Sequence, residues 1–257
     1  MTDFLEKWDP TDVLTKKSFI MTLLGNKRMG KSYFTAWFLE FLGSHNKFDL
    51  VVSFCGSVAA NPDLQCIMSK YYDDRFMFPT FSVKFLRTLL EQQESIKSQQ
   101  NRSRNVLLII DDVEIESEAF NYLGFLATRH RHYSVSIINL SVRFSYVHKS
   151  VRSCSDYMVL FNIPTYSDRQ MLLKEHATNP QLAKFCMGQL EKYQALIIAS
   201  DFKQRLYVFR CGTLSSQKTR SKIDVRLDET KNLDTSVLAE SSQIHDEDTH
   251  EKNVLVV

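Results

Sequence analysis

No apolar run in this sequence approaches the roughly 18 residues that a membrane-spanning helix needs. The first residues carry acidic side chains at Asp3, Glu6 and Asp9, where a signal peptide would have a basic start and an apolar centre. The cysteines are odd in number, scattered and without a Cys-x-x-Cys pair: Cys55, Cys66, Cys154, Cys186 and Cys211. We therefore expect a soluble, intracellular protein whose cysteines are reduced and mostly buried.

Aromatic residues are absent from residue 212 onward, where Ser, Thr, Lys, Asp and Glu dominate. Such a segment buries too little apolar surface to fold alone, so we predict that residues 213–257 form a disordered polar tail. Of the 32 basic and 30 acidic residues, 26 and 21 precede this tail, which leaves +5 on the body and −3 on the tail. A modestly basic body suits a polyanionic partner but does not require one.

The most informative feature that is present is a phosphate-binding loop, G-x-x-x-x-G-K-S, at residues 25–32. It follows an apolar run, which predicts a strand, loop and helix whose backbone N–H groups surround a phosphate chain. Lys31 can reach the β- and γ-phosphates, and Ser32 can ligate Mg²⁺. The alternative is a chance match in an ordinary turn. We predict that ATP is bound by the loop and the next residue: Gly25, Asn26, Lys27, Arg28, Met29, Gly30, Lys31, Ser32 and Tyr33.

Strand-like and helical segments alternate through most of the chain. Apolar runs predict strands at residues 18–24, 50–54, 105–110, 135–140 and 157–161. Helical patterns predict helices at residues 32–42 (ended by Gly43), 82–99 (capped by Ser82) and 116–128. Two further runs, residues 194–200 and 205–211, predict a closing hairpin. We infer an α/β fold with a mainly parallel central sheet, an ATPase domain at 18–212 and an irregular lead-in at 1–17.

Two carboxylates, Asp111 and Asp112, end the apolar run that reads as a buried central strand. In phosphate-loop enzymes a carboxylate at a neighbouring strand end holds Mg²⁺ together with the loop hydroxyl, and we assign this role to Asp111. The adjacent residue then points near the γ-phosphate, so we assign activation of the attacking water to Asp112. The alternative for Asp112 is an N-cap for the helix that follows.

Arginines that could stabilise a γ-phosphate transition state follow the carboxylates: Arg129, Arg131, Arg143 and Arg152. A neighbouring subunit commonly supplies this charge. The cluster at residues 129–132 could form such a finger, a phosphate grip on nucleic acid, or a solvated turn. Its two histidines, His130 and His132, have no further ligand at a suitable spacing, so they do not predict a metal site.

Together these pieces resemble the viral genome-packaging ATPases of the FtsK–HerA superfamily, which occur in large nucleocytoplasmic DNA viruses, virophages and Polinton-like elements. The resemblance covers roughly residues 18–211 and rests on the order of the motifs. The stretch at residues 131–138, Arg-His-Tyr-Ser-Val-Ser-Ile-Ile, and the final hairpin are the parts most similar to this family. Arg152 matches a family position, and the resemblance implies that it acts on the active site of a neighbouring subunit.

The resemblance implies an ATP-driven motor that threads double-stranded DNA into a preformed capsid. Its partners would be DNA, further copies of itself in a ring, and capsid or portal proteins, with no membrane. It would act inside an infected cell, in the cytoplasm or a virus factory, and virion association is a further expectation. Candidates for the grip on DNA phosphates are Arg102, Arg104 and Lys149, whose alternative is a set of solvated loop charges.

The sequence departs from the family at one position. Members usually carry a polar sensor, often Gln, just after the strand that follows the Arg-His segment. No Gln stands in the equivalent place here, near residues 141–143. Asn139, Ser141 or Arg143 could substitute for it, or γ-phosphate sensing could be weaker. The absence of the Gln puts the coupling of hydrolysis to movement in question more than it does nucleotide binding.

Other classes of protein share the phosphate loop. A nucleoside or nucleotide kinase is the first alternative, although paired carboxylates after a buried strand suit attack by water better. A protein that binds a nucleotide as a structural ligand and hydrolyses little is the second. A GTPase is not expected, because no Asn-Lys-x-Asp motif stands at the end of a later strand, where it would read guanine. Within the superfamily, a filamentous-phage assembly ATPase would carry a membrane span, whereas a conjugation or plasmid-mobilising motor stays open.

Overall fold

A computed structural model describes residues 5–56, 61–111, 113, 116–200 and 205–210. The described residues form these elements: β1 Glu6–Lys7, α1 Thr11–Thr15, β2 Ile20–Leu24, α2 Lys31–Ser44, β3 Leu50–Cys55, α3 Pro62–Tyr71, β4 Met77–Phe78, α4 Val83–Gln100, β5 Val106–Asp111, α5 Ser117–Arg129, β6 Val135–Ser141, α6 Lys149–Cys154, β7 Tyr157–Leu160, α7 Tyr166–His176, α8 Pro180–Gly188, β8 Gln194–Ala199 and β9 Leu206–Arg210. No helix in this part of the chain combines the length and apolar character that a membrane span requires.

The strands form one sheet in the order β1-β9-β8-β7-β2-β6-β5-β3-β4. Strand β2 lies between β6 and β7 and is parallel to both, with Leu24 opposite Ser141 on one side and Leu160 on the other. Only β8, among the described strands, runs antiparallel to its neighbours, β7 and β9. The predicted α/β fold with a mainly parallel sheet is therefore confirmed.

Helices cover both faces of the sheet, and the central strands contribute to two separate cores because successive side chains alternate in direction. On one face, Ile20 and Leu24 pack with apolar residues from α4 to α8, including Leu86 and Leu126. On the other face, Met21 and Leu23 pack with α1, α2 and α3. A strand buried on both faces has a continuous apolar sequence, which is why β2 and β5 could be recognised without alternation.

Local capping explains where several helices begin. Ser82 accepts a hydrogen bond from the Phe85 N–H, as its predicted role as a cap requires. Asn61 and Asn179 cap α3 and α8 in the same way, and each is followed by a proline whose missing N–H costs nothing at the first helical position. The caps at Asn61 and Asn179 start two helices that the hydrophobic pattern did not predict.

The lead-in at residues 1–17 was predicted to be irregular, and its described part is not. Glu6 and Lys7 pair in parallel with Tyr207 and Val208 of β9, so this segment supplies the edge strand of the sheet. Trp8 follows and is buried against Phe34, Phe38 and other aromatic rings. The prediction failed because the segment has no periodic pattern of apolar residues. Its structure comes instead from pairing with a strand distant in sequence and from the burial of one indole ring.

Two further predictions concern the end of α2 and the burial of the cysteines. Gly43 does not end the helix that follows the phosphate loop, because α2 continues to Ser44. Of the cysteines, Cys55 and Cys186 are buried, Cys154 is half-buried and Cys66 is exposed. Cys211 and the predicted disordered tail lie outside the described residues.

Gly43 is instead a packing position, and we predict that Gly43→Ala destabilises the protein. A Cβ atom at this position would lie 2.6 Å from Cγ of Tyr71 on α3. Because the clash involves the root of the tyrosine side chain, a backbone has to shift, at a cost of about 1–3 kcal/mol in the free energy of unfolding. Urea unfolding followed by circular dichroism measures this change.

Gly188→Ala is the matched control, because Gly188 is also helical and a methyl group placed on it would meet no heavy atom within 4 Å. Its stability should stay the same or rise by roughly 0.5–1 kcal/mol, since alanine loses less backbone entropy in a helix. Equal loss of stability in both variants would contradict the packing role of Gly43.

Candidate nucleotide-binding site

The phosphate loop connects the carboxyl end of β2 to the first turn of α2. Its base is held on both sides, because the Gly25 N–H donates to the Ser141 carbonyl at 3.3 Å and the Asn26 N–H donates to the Asn162 carbonyl at 2.9 Å. Ser141 ends β6, and Asn162 follows β7. The loop is therefore fixed between the two strands that flank β2, at the edge of the sheet where ligands of α/β proteins bind.

Both motif glycines are required by the space around them. A Cβ atom on Gly25 would lie 2.6 Å from Cβ of Phe161, and one on Gly30 would lie 3.0 Å from Cδ1 of Tyr193. Both also have positive φ values, +153° and +114°. Glycine is the residue that adopts such conformations without strain, so the loop can approach β7 and the residue before β8 closely.

Lys31 spans the mouth of the loop. Its ammonium group donates to the Gly25 carbonyl at 2.7 Å and to the Asn26 carbonyl at 3.1 Å. It is the first residue of α2, whose N-terminus presents N–H groups and the positive end of the helix dipole to the same space. This arrangement concentrates donors and positive charge where a phosphate chain would lie.

Ser32 and Asp111 meet although 79 residues separate them. The Ser32 hydroxyl donates to Oδ2 of Asp111 at 3.4 Å, and Asp111 is the last residue of β5. Parallel strands bring their carboxyl ends to one edge, so the end of β5 reaches the loop even though β6 lies between β5 and β2. The two residues predicted to bind a metal are thus brought together.

A cavity of about 490 Å³ opens above the loop. Its lining residues come from four segments of the chain: Lys27, Arg28, Gly30, Lys31, Ser32, Tyr33, Asp111, Leu140, Ser141, Val142, Lys192 and Tyr193. Six of the nine predicted nucleotide-binding residues are among them. Gly25, Asn26 and Met29 shape the loop behind, and the Met29 carbonyl accepts a hydrogen bond from the Tyr193 N–H at 3.4 Å.

Sequence reasoning missed Lys192 and Tyr193. They precede β8, which runs antiparallel to β7, so the start of β8 lies at the same edge as the carboxyl ends of the parallel strands. The sequence predicted the hairpin, and the residues before its first strand have to lie at one edge of the sheet. The sequence did not show whether that edge is the one that carries the phosphate loop.

Asp112 lies outside the described residues, so its predicted role in water activation stays a prediction. Its neighbour Val113 lines a second cavity of about 470 Å³, next to the first and sharing Leu140, Ser141 and Val142 with it. Asn139 and Ser145 also line this second cavity. Space for a water molecule therefore exists beside the carboxyl end of β5.

The segment after β6 is tied to α7. Arg143 donates from Nε to the buried carboxylate of Asp168 at 2.6 Å, and the Ser145 N–H donates to the same carboxylate at 3.4 Å. The Ser141 hydroxyl bonds to the backbone of Arg143. Of the three residues considered as sensors, Ser141 alone lines both cavities, Asn139 lines the second, and Arg143 is engaged with Asp168.

Arg152 is engaged within its own chain. Its guanidinium lies 4.6 Å from the Phe144 ring centroid, and its Nε lies 3.6 Å from a carboxylate oxygen of Glu175. A third contact joins it to the sulfur of Met171. Only 12% of its side chain is exposed. Action on a neighbouring subunit would require these contacts to open.

The Arg-His cluster is divided between the surface and the interior. His130 is buried, and its Nδ1–H donates to the Val135 carbonyl at 3.1 Å. Burial lowers the pKa of His130 despite this hydrogen bond, so the ring is neutral near pH 7 and is unsuited to gripping a phosphate. Arg129 and Arg131 are exposed, and Arg131 lies 3.4 Å from the buried carboxylate of Asp156.

The loops at residues 101–105 and 130–134 lie side by side at the amino ends of β5 and β6. Gln93 is buried between them and donates to the Arg104 carbonyl at 2.7 Å and to the Tyr133 carbonyl at 3.0 Å. This edge carries five exposed basic residues: Lys97, Arg102, Arg104, Arg129 and Arg131. Lys149 instead begins α6, which packs against α5.

Solved structures with this fold define the class of protein. The chain matches B204, the DNA-packaging ATPase from Sulfolobus turreted icosahedral virus, with a TM-score of 0.57 at 17% identity, over 76% of this chain and 98% of that chain. The genome packaging NTPase B204 from Sulfolobus turreted icosahedral virus 2, in complex with AMP, matches with a TM-score of 0.56 at 16% identity, over 77% and 100%. EccC from Thermomonospora curvata, ATPases 2 and 3, gives 0.54 at 10% identity, over 77% and 37%. The fold is that of a P-loop NTPase.

The family follows from the sequence itself. The family model for the poxvirus A32 protein matches residues 7–247, so the chain belongs to the poxvirus A32 protein family. No curated protein sequence matches it significantly. The expected relationship to a viral protein family is confirmed, and the fold is shared with a viral DNA-packaging ATPase, while the narrower grouping with virophages and Polinton-like elements stays a prediction.

Proposed function

We propose that this protein is an ATP-hydrolysing motor that moves double-stranded viral DNA into a preformed capsid. The observation that carries the proposal is the convergence of Lys31, Ser32 and Asp111 in one cavity at the carboxyl ends of the strands. Membership of the poxvirus A32 protein family supports the viral setting, and the shared fold with a DNA-packaging ATPase supports the use of ATP for packaging.

The residues at the mouth of the loop fit Mg²⁺-ATP. The Ser32 hydroxyl and the Asp111 carboxylate are oxygen donors of the kind that Mg²⁺ prefers, and they already lie within 3.4 Å of each other. A bound Mg²⁺ would neutralise charge on the β- and γ-phosphates. Lys31 would exchange its two carbonyl partners for phosphate oxygens, and the N-terminus of α2 would hold the remaining negative charge.

Asp112 is the proposed general base. It directly follows Asp111, so it is the carboxylate next in sequence to the proposed Mg²⁺ ligand. It would accept the proton of the water that attacks the γ-phosphate, while Asp111 holds the metal. The alternative role, as N-cap of the helix that follows, does not fit, because α5 begins at Ser117 with Glu116 in the N-cap position.

Self-association into a ring is part of the proposal, because motors of this kind complete the site with an arginine from the next subunit. Arg152 stays the first candidate from the family resemblance. Arg131 is more accessible than Arg152, because 71% of its side chain is exposed and only 12% of the Arg152 side chain is. Capsid or portal proteins are the further proposed partners.

The proposed DNA contacts lie at the edge formed by the loops at residues 101–105 and 130–134. Arg102 and Arg104 are exposed there, and Gln93 joins their loop to the one that carries Arg131. Exposed basic residues at one edge would contact phosphates without reading the base sequence. Packaging requires such contacts, because the motor has to move along any part of a genome.

We expect duplex DNA to stimulate steady-state ATP hydrolysis by the full-length protein, and we expect Lys31→Ala to abolish both rates. Phosphate contacts release counterions, so stimulation should fall steeply between 50 and 200 mM salt, where a site with several contacts loses roughly 10³-fold or more in affinity. Coupled-enzyme measurement of ADP release over a salt series checks this.

If the wild-type protein hydrolyses ATP at the same rate with and without duplex DNA, the proposed motor function is contradicted. A rate that rises with a small phosphate acceptor would favour a nucleoside or nucleotide kinase. Tight ATP binding with no more turnover than Lys31→Ala, even with DNA and capsid proteins present, would favour a protein that binds ATP as a structural ligand.

Asp112→Asn should leave the affinity for ATP nearly unchanged and slow turnover by roughly 10²–10⁴-fold, because an amide cannot accept the proton of the attacking water. Equilibrium binding of a non-hydrolysable ATP analogue and the turnover rate are measured on the same preparation. Unchanged turnover would exclude the role of general base.

The double variant Arg102→Ala/Arg104→Ala should reduce stimulation by DNA without changing hydrolysis in its absence. The slope of log affinity against log salt should become shallower by about one for each phosphate that the variant no longer binds. Lys174→Ala/Lys184→Ala is the control, because it removes two exposed charges from α7 and α8 instead. Equal effects of both double variants would argue against a DNA surface at residues 101–105.

A further inference from the structure

The phosphate and metal contacts proposed above do not use the wall of the cavity that Lys192 and Tyr193 form. Asp111 reaches the cavity from β5, which lies two strands from β2 on one side, and Tyr193 reaches it from the start of β8, two strands away on the other side. A nucleotide whose triphosphate is held by Lys31 beside Ser32 and Asp111 therefore has room for its other end toward Tyr193.

The backbone of Tyr193 is fixed against the phosphate loop. Its N–H donates to the Met29 carbonyl at 3.4 Å, and its Cδ1 lies 3.0 Å from the point that a Cβ of Gly30 would occupy. Its φ is +65°, a left-handed conformation that is unusual for a bulky residue. Strained positions of this kind cluster at ligand sites, where the surrounding structure holds them.

The ring of Tyr193 is presented to the cavity as an aromatic surface. The residue is 40% exposed although it touches the loop, and its ring centroid lies 5.4 Å from that of Tyr33. The two rings are inclined by 55°, so they form a corner and do not cover each other. The Lys192 ammonium lies 5.1 Å from the centroid of the Tyr193 ring, which places one cation beside this corner.

We propose that the nucleobase of bound ATP stacks on Tyr193, within the corner that Tyr193 forms with Tyr33. This inference rests on the proposed nucleotide-binding function and adds the residue that holds the base. Every base has a π-face, and an aromatic side chain that is already fixed in place loses little freedom when a base stacks on it. Tyr193 would thus join the base end of the nucleotide to the same loop that holds its phosphates.

The test compares ATP with inorganic triphosphate, which has the same phosphate chain and no base. Calorimetric titration with each ligand is carried out without divalent metal, so that ATP is not hydrolysed, on the wild-type protein, Tyr193→Phe, Tyr193→Leu and Lys31→Ala. Phe and Leu both keep a Cβ atom at the strained position, so they change the ring and not the backbone preference. Tyr166→Ala is the control, because Tyr166 is an exposed tyrosine on α7 that does not line the cavity.

Tyr193→Leu should weaken ATP binding by roughly tenfold, the scale of one base–aromatic stack, and leave the affinity for triphosphate unchanged. Tyr193→Phe and Tyr166→Ala should bind both ligands as the wild type does. Equal weakening of ATP and triphosphate in Tyr193→Leu, or no weakening of either, would overturn the inference while the nucleotide site stands. Equal binding by the wild type and Lys31→Ala would instead refute the proposed nucleotide site, and the inference with it.

Discussion

Two backbone hydrogen bonds hold the base of the phosphate loop, one to each strand that flanks β2. The Gly25 N–H reaches the Ser141 carbonyl of β6, and the Asn26 N–H reaches the Asn162 carbonyl after β7. Both bonds require that the three strands end in register, which the parallel pairing of Leu24 with Ser141 and with Leu160 provides. The same bonds place the loop directly beside Ser141, so the position considered for a γ-phosphate sensor is joined to the phosphate site through its own backbone.

The antiparallel strand β8 gives the site its second wall. A parallel strand would begin at the opposite edge of the sheet, whereas β8 begins beside the loop and brings Lys192 and Tyr193 with it. Strand β9 returns along β8 and pairs with β1, so the segment before β2 closes the same end of the sheet. Trp8 fills the space between this edge and α2 by contacts with Phe34, Phe38 and Phe209. The wall of the cavity is thus supported by residues distant in sequence.

Sequence alone was sufficient for the elements whose signal is local. The continuous apolar run of β5, the cap at Ser82 and the glycines of the loop each express one nearby physical requirement, and the meeting of Ser32 with Asp111 follows once the strands are parallel. The other contacts made at long range were not predictable. The pairing of Glu6 and Lys7 with β9, the packing of Gly43 on Tyr71 and the approach of Tyr193 to Met29 each depend on which surfaces the folded sheet brings together.

The nucleotide cavity and the basic edge lie at opposite ends of β5 and β6, which are six and seven residues long. At about 3.3 Å per residue, roughly 20 Å of strand separates them. Both strands are buried and paired along their length, so a change at Asp111 or Ser141 reaches the far edge only if the strands shift as rigid units. Gln93 binds the carbonyls of both far loops, so those loops would move together. If DNA is held there, coupling of hydrolysis to movement has to pass through the strands and the helices packed on them, because no single side chain can span roughly 20 Å and contact both ligands.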